Sequence, residues 1–191
     1  MCFATRFASA VVTAVFALTL GLASVTVPAA AQDAARVDEL FDRLQQPDPS
    51  DWRMTEREIL LEWSKSGSAA MDLLLQRGRD ALNDGRTDEA IDHLTALTDH
   101  APNFAEGWNM RATAFFSIRR YGLSIADIQR TLALNPRHFG ALSGLAMMLE
   151  ELGYEADALA AYREALSLTP HRPDLRDAVT RLAILADGTD I

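Results

Sequence analysis

The segment WNMRATAFFSIRRYGLSIADIQRTLALNP, from Trp108 to Pro136, is the middle copy of a pattern that occurs three times at a constant spacing. Shifting it by one period in either direction aligns large residues with large, small with small and proline with proline. The prolines that align with Pro136 are Pro102 and Pro170. A period of about 34 residues is typical of helix pairs that stack into a solenoid.

Each copy has the pattern of two packed helices. In the third copy, Leu142, Leu145 and Leu149 occupy positions i, i+3 and i+7, which is the apolar stripe of an amphipathic helix. The proline that follows each second helix prevents that helix from continuing. Because one helix pair cannot bury its own apolar face, the three copies must stack. The sequence therefore predicts an all-α fold, an α-solenoid of three antiparallel helix pairs with flanking helices.

The pattern resembles the tetratricopeptide repeat in its period and in the order of its large, small and proline positions. Some positions depart from what the family prefers: Arg77 and Arg111 replace Leu, and Ser124 and Thr131 replace Ala. Ala81 stands where the family has an aromatic residue. The repeats are expected at residues 71–104, 105–138 and 139–172.

Glycines indicate how the two helices of a copy are joined. Gly85 and Gly153 follow the first helices of the first and third copies, where a residue of positive φ ends a helix. The middle copy has Tyr121-Gly122 nearby instead, which predicts a turn of different shape.

Residues 1–31 are typical of a secretory signal. Arg6 is their only charged residue, and an apolar centre follows it. Small residues at Ala29 and Ala31 fit the pattern of signal cleavage, which predicts a cut between Ala31 and Gln32 and a periplasmic location. An uncleaved membrane anchor is the alternative, because a charge-free run of this length is able to span a bilayer.

The remaining flanks are helical in pattern. Residues 32–70 contain two short amphipathic segments, which predict a helical cap on the open face of the first repeat or a degenerate fourth repeat. Residues 173–191 predict a C-terminal capping helix and a tail. Leu175, Val179 and Leu182 on one face of that helix would close the core.

Composition excludes several classes of function. Residues 32–191 contain 17 basic and 27 acidic residues, because Arg6 is the one charged residue before them. Their net charge of −10 repels nucleic acid. The single cysteine, Cys2, lies in the leader. His138 and His171 fall in neighbouring loops between repeats, so we expect them at one edge of the array, but no histidine pair has ligand spacing.

Enzymatic motifs are missing from the sequence as well. It contains no phosphate-binding loop, no dinucleotide fingerprint and no nucleophile elbow. We therefore predict no catalytic residue, metal, cofactor or small-molecule substrate, and a protein that is not an enzyme.

The resemblance implies a binding surface. In the family, the first helices of successive repeats line a concave groove, and the register carries this property to defined positions of this sequence. Glu106 falls at one of them. The predicted partner-binding residues are Leu75, Arg79, Leu82, Asn109, Thr113, Phe116, Ser143, Met147 and Glu150.

This groove composition favours an extended or helical peptide, held by apolar residues and oriented by Asn109 and Thr113. Only Arg79 is basic, which does not suit the capture of a C-terminal carboxylate. The prediction is a periplasmic interaction scaffold for a protein or peptide partner in the cell envelope, with membrane contact only if the leader is uncleaved. Two alternatives stay open: a terminal helix covers the groove, or Leu175, Val179 and Leu182 mediate self-association in a structural assembly.

Overall fold

The computed structural model describes residues 29–47 and 50–188. The secondary structure of these residues consists of helices, without a strand. The helices are α1 Ala29–Leu44, α2 Trp52–Trp63, α3 Ala69–Asn83, α4 Thr87–His100, α5 Ala105–Ser117, α6 Tyr121–Leu134, α7 Phe139–Glu151, α8 Glu155–Leu168 and α9 Pro173–Gly188. The predicted all-α solenoid is confirmed. The predicted signal lies outside the described residues except for its last three positions.

Three antiparallel helix pairs, α3–α4, α5–α6 and α7–α8, form the array, and α9 packs on α8. Small residues let the paired helices approach closely. A Cβ atom added to Gly78 on α3 would lie 2.6 Å from Cγ of Leu94 on α4, which is too short for any contact. The equivalent residues Ala112 and Ala146 are 2% and 0% exposed. None of the helices within the described ranges is long and apolar enough to cross a membrane.

The turn inside each repeat has the same shape in all three copies. Gly85, Arg119 and Gly153 occupy the same position of successive repeats and have φ values of 72°, 58° and 79°. In each turn the amide of the next residue donates to the carbonyl five residues back, at 2.8 to 2.9 Å, which is a Schellman motif. The expectation of a different middle turn is wrong. Arg119 takes the left-handed conformation, and Tyr121 and Gly122 lie in the first turn of α6.

The C-terminal helix closes the core of the third repeat. Leu175 and Leu182 are 2% and 1% exposed and pack against Ala158 and Tyr162 of α8, with Val179 partly buried beside them. The apolar face of α9 is therefore used inside the molecule. The alternative in which these three residues of α9 face a second subunit is wrong, because all three pack on the third repeat, Leu175 and Leu182 fully buried and Val179 partly so.

Helices α1 and α2, here called the N-terminal hairpin, pack along one edge of the array. The ring of Phe41 lies 6.4 Å from that of Phe139 at the start of α7. Gln45 donates from Nε2 to the carbonyl oxygens of Ser167 and Leu168, at 3.2 Å each. Apolar burial and these hydrogen bonds together fix α1 against the beginning of α7 and the end of α8.

The second helix of the hairpin brings its C-terminal end to the concave side. Trp63 stacks on His138, with ring centroids 4.7 Å apart, and lies 5.2 Å from Phe139. Ser64 accepts a hydrogen bond from Arg79 of α3 at 2.8 Å. We expected this segment on the open face of the first repeat. It lies along the edge instead, because its aromatic residues find their partners at the start of α7.

Candidate functional site: the concave groove

Five of the nine predicted groove residues line one cavity. They are Asn109, Thr113, Phe116, Ser143 and Met147, and we call them the open half of the groove. The cavity has a volume of about 340 Å³ and lies between α5 and α7. The register of the repeats thus brings together side chains that occupy equivalent positions of neighbouring copies, such as Thr113 and Met147.

The floor of this cavity is apolar and its rim is polar. Ile128 and Met148, which are 3% and 1% exposed, form part of the floor. The side chain of Met147 is 47% exposed at the surface. Methionine adapts its shape to different ligands, so the cavity is suited to an apolar side chain without a strict requirement for its shape.

The rim hydroxyl groups are oriented by the helices themselves. Thr113 donates from Oγ1 to the carbonyl of Asn109 at 3.0 Å, and Ser143 donates from Oγ to the carbonyl of Phe139 at 2.8 Å. Each hydroxyl proton is used in this way, and the oxygen lone pairs remain available to a ligand. The rim therefore offers hydrogen-bond acceptors.

A second cavity continues the groove toward α9. It has a volume of about 480 Å³ and shares Ser143, Met147 and Arg172 with the first. Its far wall is made by α9, including Asp177 and Arg181. The two cavities form a continuous groove that crosses α5, α7 and α9.

The predicted residues of the first repeat lie elsewhere. Leu75 is 2% exposed and belongs to the core between α3, α4 and α5, and Leu82 packs against the same core. Arg79 forms an ion pair with Glu106. We call Leu75, Arg79, Leu82 and Glu106 the closed half of the groove. Leu75 has almost no surface left for a ligand, and part of the surface of Leu82 is covered by the core.

A buried polar network fills the closed half. Glu106 is 4% exposed and accepts hydrogen bonds from Arg79 and from Asn109, the latter at 3.2 Å. His138, fully buried, places Nε2 3.0 Å from Oε2 of Glu106, while its Nδ1 accepts from the amide of Ala141 at 3.1 Å. Because Nδ1 is the acceptor, the proton is assigned to Nε2. His138 therefore caps α7 and orients Glu106.

The expectation that His138 and His171 lie at one edge of the array is confirmed. His138 stacks on Trp63, and His171 places Nε2 2.9 Å from the carbonyl oxygen of Gln46, so both lie at the edge occupied by the N-terminal hairpin. The role of His138 as a cap was not visible in the sequence, since the equivalent positions hold Phe104 and Arg172.

The last predicted groove residue, Glu150, is engaged by its neighbours. It forms an ion pair with Arg181 of α9 and accepts a hydrogen bond from the hydroxyl of Tyr162 at 3.2 Å. The hydrogen bond from Arg181 lowers the pKa of Glu150, and burial together with the charge of Glu150 raises the pKa of Tyr162 to about 12. Glu150 thus joins α7 to α9 and α8.

A carboxyl group of α2 is buried without full compensation. Glu56 is 9% exposed, and its Oε1 accepts no hydrogen bond from any part of the chain that the structure describes. Arg172, Asp174, Arg53 and His171 are the charged or titratable groups around it. Burial raises the pKa of Glu56, and the charge of Arg172 offsets only part of this effect.

Two departures from the family pattern, Arg111 and Ser124, find polar partners behind the open half. Arg111 donates to both carboxylate oxygens of Asp127, at 2.7 and 2.9 Å, and to Oγ1 of Thr98 at 2.8 Å. Ser124 donates to the carbonyl of Ala112 at 2.7 Å. A polar cluster replaces the apolar contact that the family usually has there. The sequence showed these two departures but not their partners.

Solved structures share this architecture. One is the first tetratricopeptide repeat domain of Spaghetti bound to an HSP90 peptide, SRMEEVD, which matches with a TM-score of 0.60 and 23% identity. The match covers 63% of this chain and 95% of that chain. At this level of identity the likeness is one of fold.

Sequence relatives extend the match. A repeat-containing protein of Rhizobium etli is 38% identical over 149 residues, which is 78% of this chain and 73% of the relative. The Hsp70-Hsp90 organizing protein of Triticum aestivum is 33% identical over 100 residues, 52% of this chain but only 17% of the relative. The tetratricopeptide repeat family model matches residues 75–128 and 109–173, which together span 99 of the 191 residues. The chain belongs to the tetratricopeptide repeat family.

Proposed function

We propose that the protein is a non-catalytic scaffold of the periplasm that binds a segment of a cell-envelope protein in the open half of the groove. The observation that carries this proposal is the continuous groove across α5, α7 and α9, with an apolar floor and acceptor groups on its rim. The Spaghetti domain, which has the same fold, holds a peptide from HSP90. A fold of this kind supplies the geometry for a peptide, and the side chains of this chain determine which peptide binds.

The groove is suited to an extended or helical segment. An apolar side chain of the partner would enter between Phe116, Met147 and Met148, where its burial contributes most of the affinity. The acceptors Thr113 and Ser143 would orient the partner by hydrogen bonds to its N–H groups.

Export rests on the leader pattern. Cleavage between Ala31 and Gln32 would fall near the start of α1, before Val37, which is the first buried side chain of α1 among those that the structure describes. The core of the N-terminal hairpin would therefore stay intact in the mature chain. Intact mass of the protein from a periplasmic fraction tests this step, and a chain that retains residues 1–31 contradicts it.

Site-specific photocrosslinking tests the binding step. Phe116 packs partly against the core, so the exposed Met147 is the better place for the photoreactive residue. Leu123 on α6 is 51% exposed and outside both cavities, which makes it the matched control. We expect one discrete envelope protein, identified by mass spectrometry, to crosslink from Met147 and not from Leu123.

A substitution checks that the groove itself is responsible. Met147→Asp should abolish capture of that partner and leave the helix content unchanged, whereas Leu123→Asp should leave both unchanged. Equal crosslinking from the two positions, or capture that survives Met147→Asp, would reject the groove as the binding site.

A further inference from the structure

We propose that the segment held in the groove carries an apolar side chain next to lysine or arginine residues, and that acidic segments are rejected. This inference rests on the function proposed above and adds the chemical class of the partner. It follows from which charges of the groove are already compensated inside the molecule and which are not.

Each arginine of the groove already has a carboxylate partner. Arg79 pairs with Glu106, Arg172 with Asp174 and Arg181 with Glu150. Arg172 holds both oxygens of Asp174, with Nε 2.9 Å from Oδ1, so the fork that would bind an incoming carboxylate is occupied. An acidic ligand would have to break one of these pairs.

One carboxylate of the groove is not compensated in this way. Asp177 on α9 lines the second cavity and forms no ion pair with any residue in the described ranges. Arg181, four residues further along α9, reaches Glu150 on α7 and not Asp177. Asp177 therefore gives the α9 end of the groove an unbalanced negative charge.

The opposite end is closer to neutral. Glu151 accepts a hydrogen bond from the hydroxyl of Tyr121 at 2.5 Å, and the ring of Tyr121 lies 5.9 Å from that of Phe116. Arg119 lies in the turn before α6 and places a positive charge near Tyr121. The selectivity for charge consequently comes from the α9 end.

The uncharged rim favours the same partner. Thr113 and Ser143 use their hydroxyl protons within their own helices and present acceptor oxygens, which suit ammonium, guanidinium and peptide N–H groups. The field of the whole chain acts in the same direction, because residues 32–191 carry 17 basic and 27 acidic side chains. A basic segment is attracted before contact, and an acidic one is repelled.

Three synthetic peptides with the same central Leu-Phe pair test the inference. Their flanking residues are lysine, glutamine or glutamate, and each is titrated into the full chain by fluorescence anisotropy at low and at moderate salt. We expect the lysine peptide to bind roughly tenfold more tightly than the glutamate peptide, with a difference that shrinks as salt is added.

Variants locate the effect. Asp177→Asn should weaken the lysine peptide about fivefold and leave the glutamine peptide unchanged, because one exposed ion pair is worth at most about 1 kcal/mol. Asp157→Asn, an exposed position on α8 outside the groove, is the matched control and should change neither. Asp177→Lys should reverse the preference toward the glutamate peptide.

The outcomes separate the two proposals. If the glutamate and lysine peptides bind equally, or the glutamate peptide binds more tightly, the inference about charge is overturned while the groove remains a peptide site. If none of the three peptides binds, the groove proposal fails and this inference fails with it.

Discussion

The two halves of the groove occupy equivalent positions of the repeat but have different fates. Arg79, Thr113 and Met147 fall at the same place in three successive copies. Arg79 is held by Glu106 and Ser64, whereas Thr113 is exposed and Met147 is 47% exposed. Register determines which way a side chain points along the concave face. The segments outside the array determine whether anything else can reach it.

The closed half is held by polar contacts as well as by packing. Trp63 covers His138, His138 orients Glu106, and Glu106 binds Arg79, so the N-terminal hairpin is connected to α3, α5 and α7 through one network. Within the open half, Asn109 alone reaches this network among the described contacts, through its hydrogen bond to Glu106. The closed half therefore contributes to the stability of the fold, whereas the open half stays accessible to a ligand.

The largest effect is expected from Glu106→Ala in the closed half. The substitution leaves the partly exposed guanidinium of Arg79 and the fully buried Nε2 proton of His138 without their carboxylate. Breaking a buried pair from one side should lower the free energy of unfolding by about 3 kcal/mol. Urea unfolding followed by circular dichroism measures the loss.

Thr113→Val on the same helix is the comparison from the open half. Thr113 is exposed and bonds only within its own helix, so the substitution should change the free energy of unfolding by no more than about 0.5 kcal/mol. Hydrogen exchange should also show faster opening of α1 and α2 in the Glu106→Ala protein alone. Similar losses for the two substitutions would mean that the network does not distinguish the halves.

A smaller effect, with a defined pH dependence, is expected at Glu56, where the hairpin meets the loop before α9. Burial raises the pKa of this carboxyl group above its ordinary value of 4.5, so the folded state prefers the protonated form. The stability that Glu56 contributes is complete below that ordinary value and is lost as the pH rises through the raised pKa of the folded state.

Glu56→Gln removes this dependence. The variant should match the parent at pH 4 and exceed its free energy of unfolding by about 1 kcal/mol at pH 8, because a neutral amide is cheaper to bury than a carboxylate. Urea unfolding of both proteins at the two pH values gives the difference. Asp92→Asn, at an exposed position of α4, is the control for the removal of one acidic side chain. A gap of the same size at pH 4 would mean that ionisation of Glu56 is not its cause.

The repeating part of the sequence was sufficient to predict the open half. Asn109, Thr113, Phe116, Ser143 and Met147 meet because the family register continues without gaps from α5 to α7. Side chains at equivalent positions of successive repeats point in the same direction. In this region the flanking helices do not cover those side chains.

The closed half was beyond the reach of periodicity. Trp63 and His138 are far apart in the sequence, and neither belongs to the repeating pattern, so their stacking leaves no periodic trace. The same holds for Arg111, whose departure from the pattern is compensated by Asp127 only in three dimensions. Contacts between a repeat array and its appendages depend on specific side chains, and a single sequence does not pair them.

The smallest effect is expected at Arg119, whose turn adjoins Phe116 at the rim of the open half. Its left-handed conformation is unfavourable for any residue with a Cβ atom, whereas Gly85 and Gly153 adopt it without strain in the other two turns. Arg119→Gly should raise the free energy of unfolding by about 0.5 kcal/mol, after the greater flexibility of glycine in the unfolded chain is subtracted. Gly153→Ala, where an added Cβ meets no atom within 4 Å, should lower it by about 1 kcal/mol for the conformational reason alone. If Arg119→Gly also leaves the affinity for the lysine-flanked peptide unchanged, peptide binding in the open half depends on the faces of α5, α7 and α9 and not on this turn. A loss of stability or of affinity would show instead that the side chain of Arg119 supports the rim.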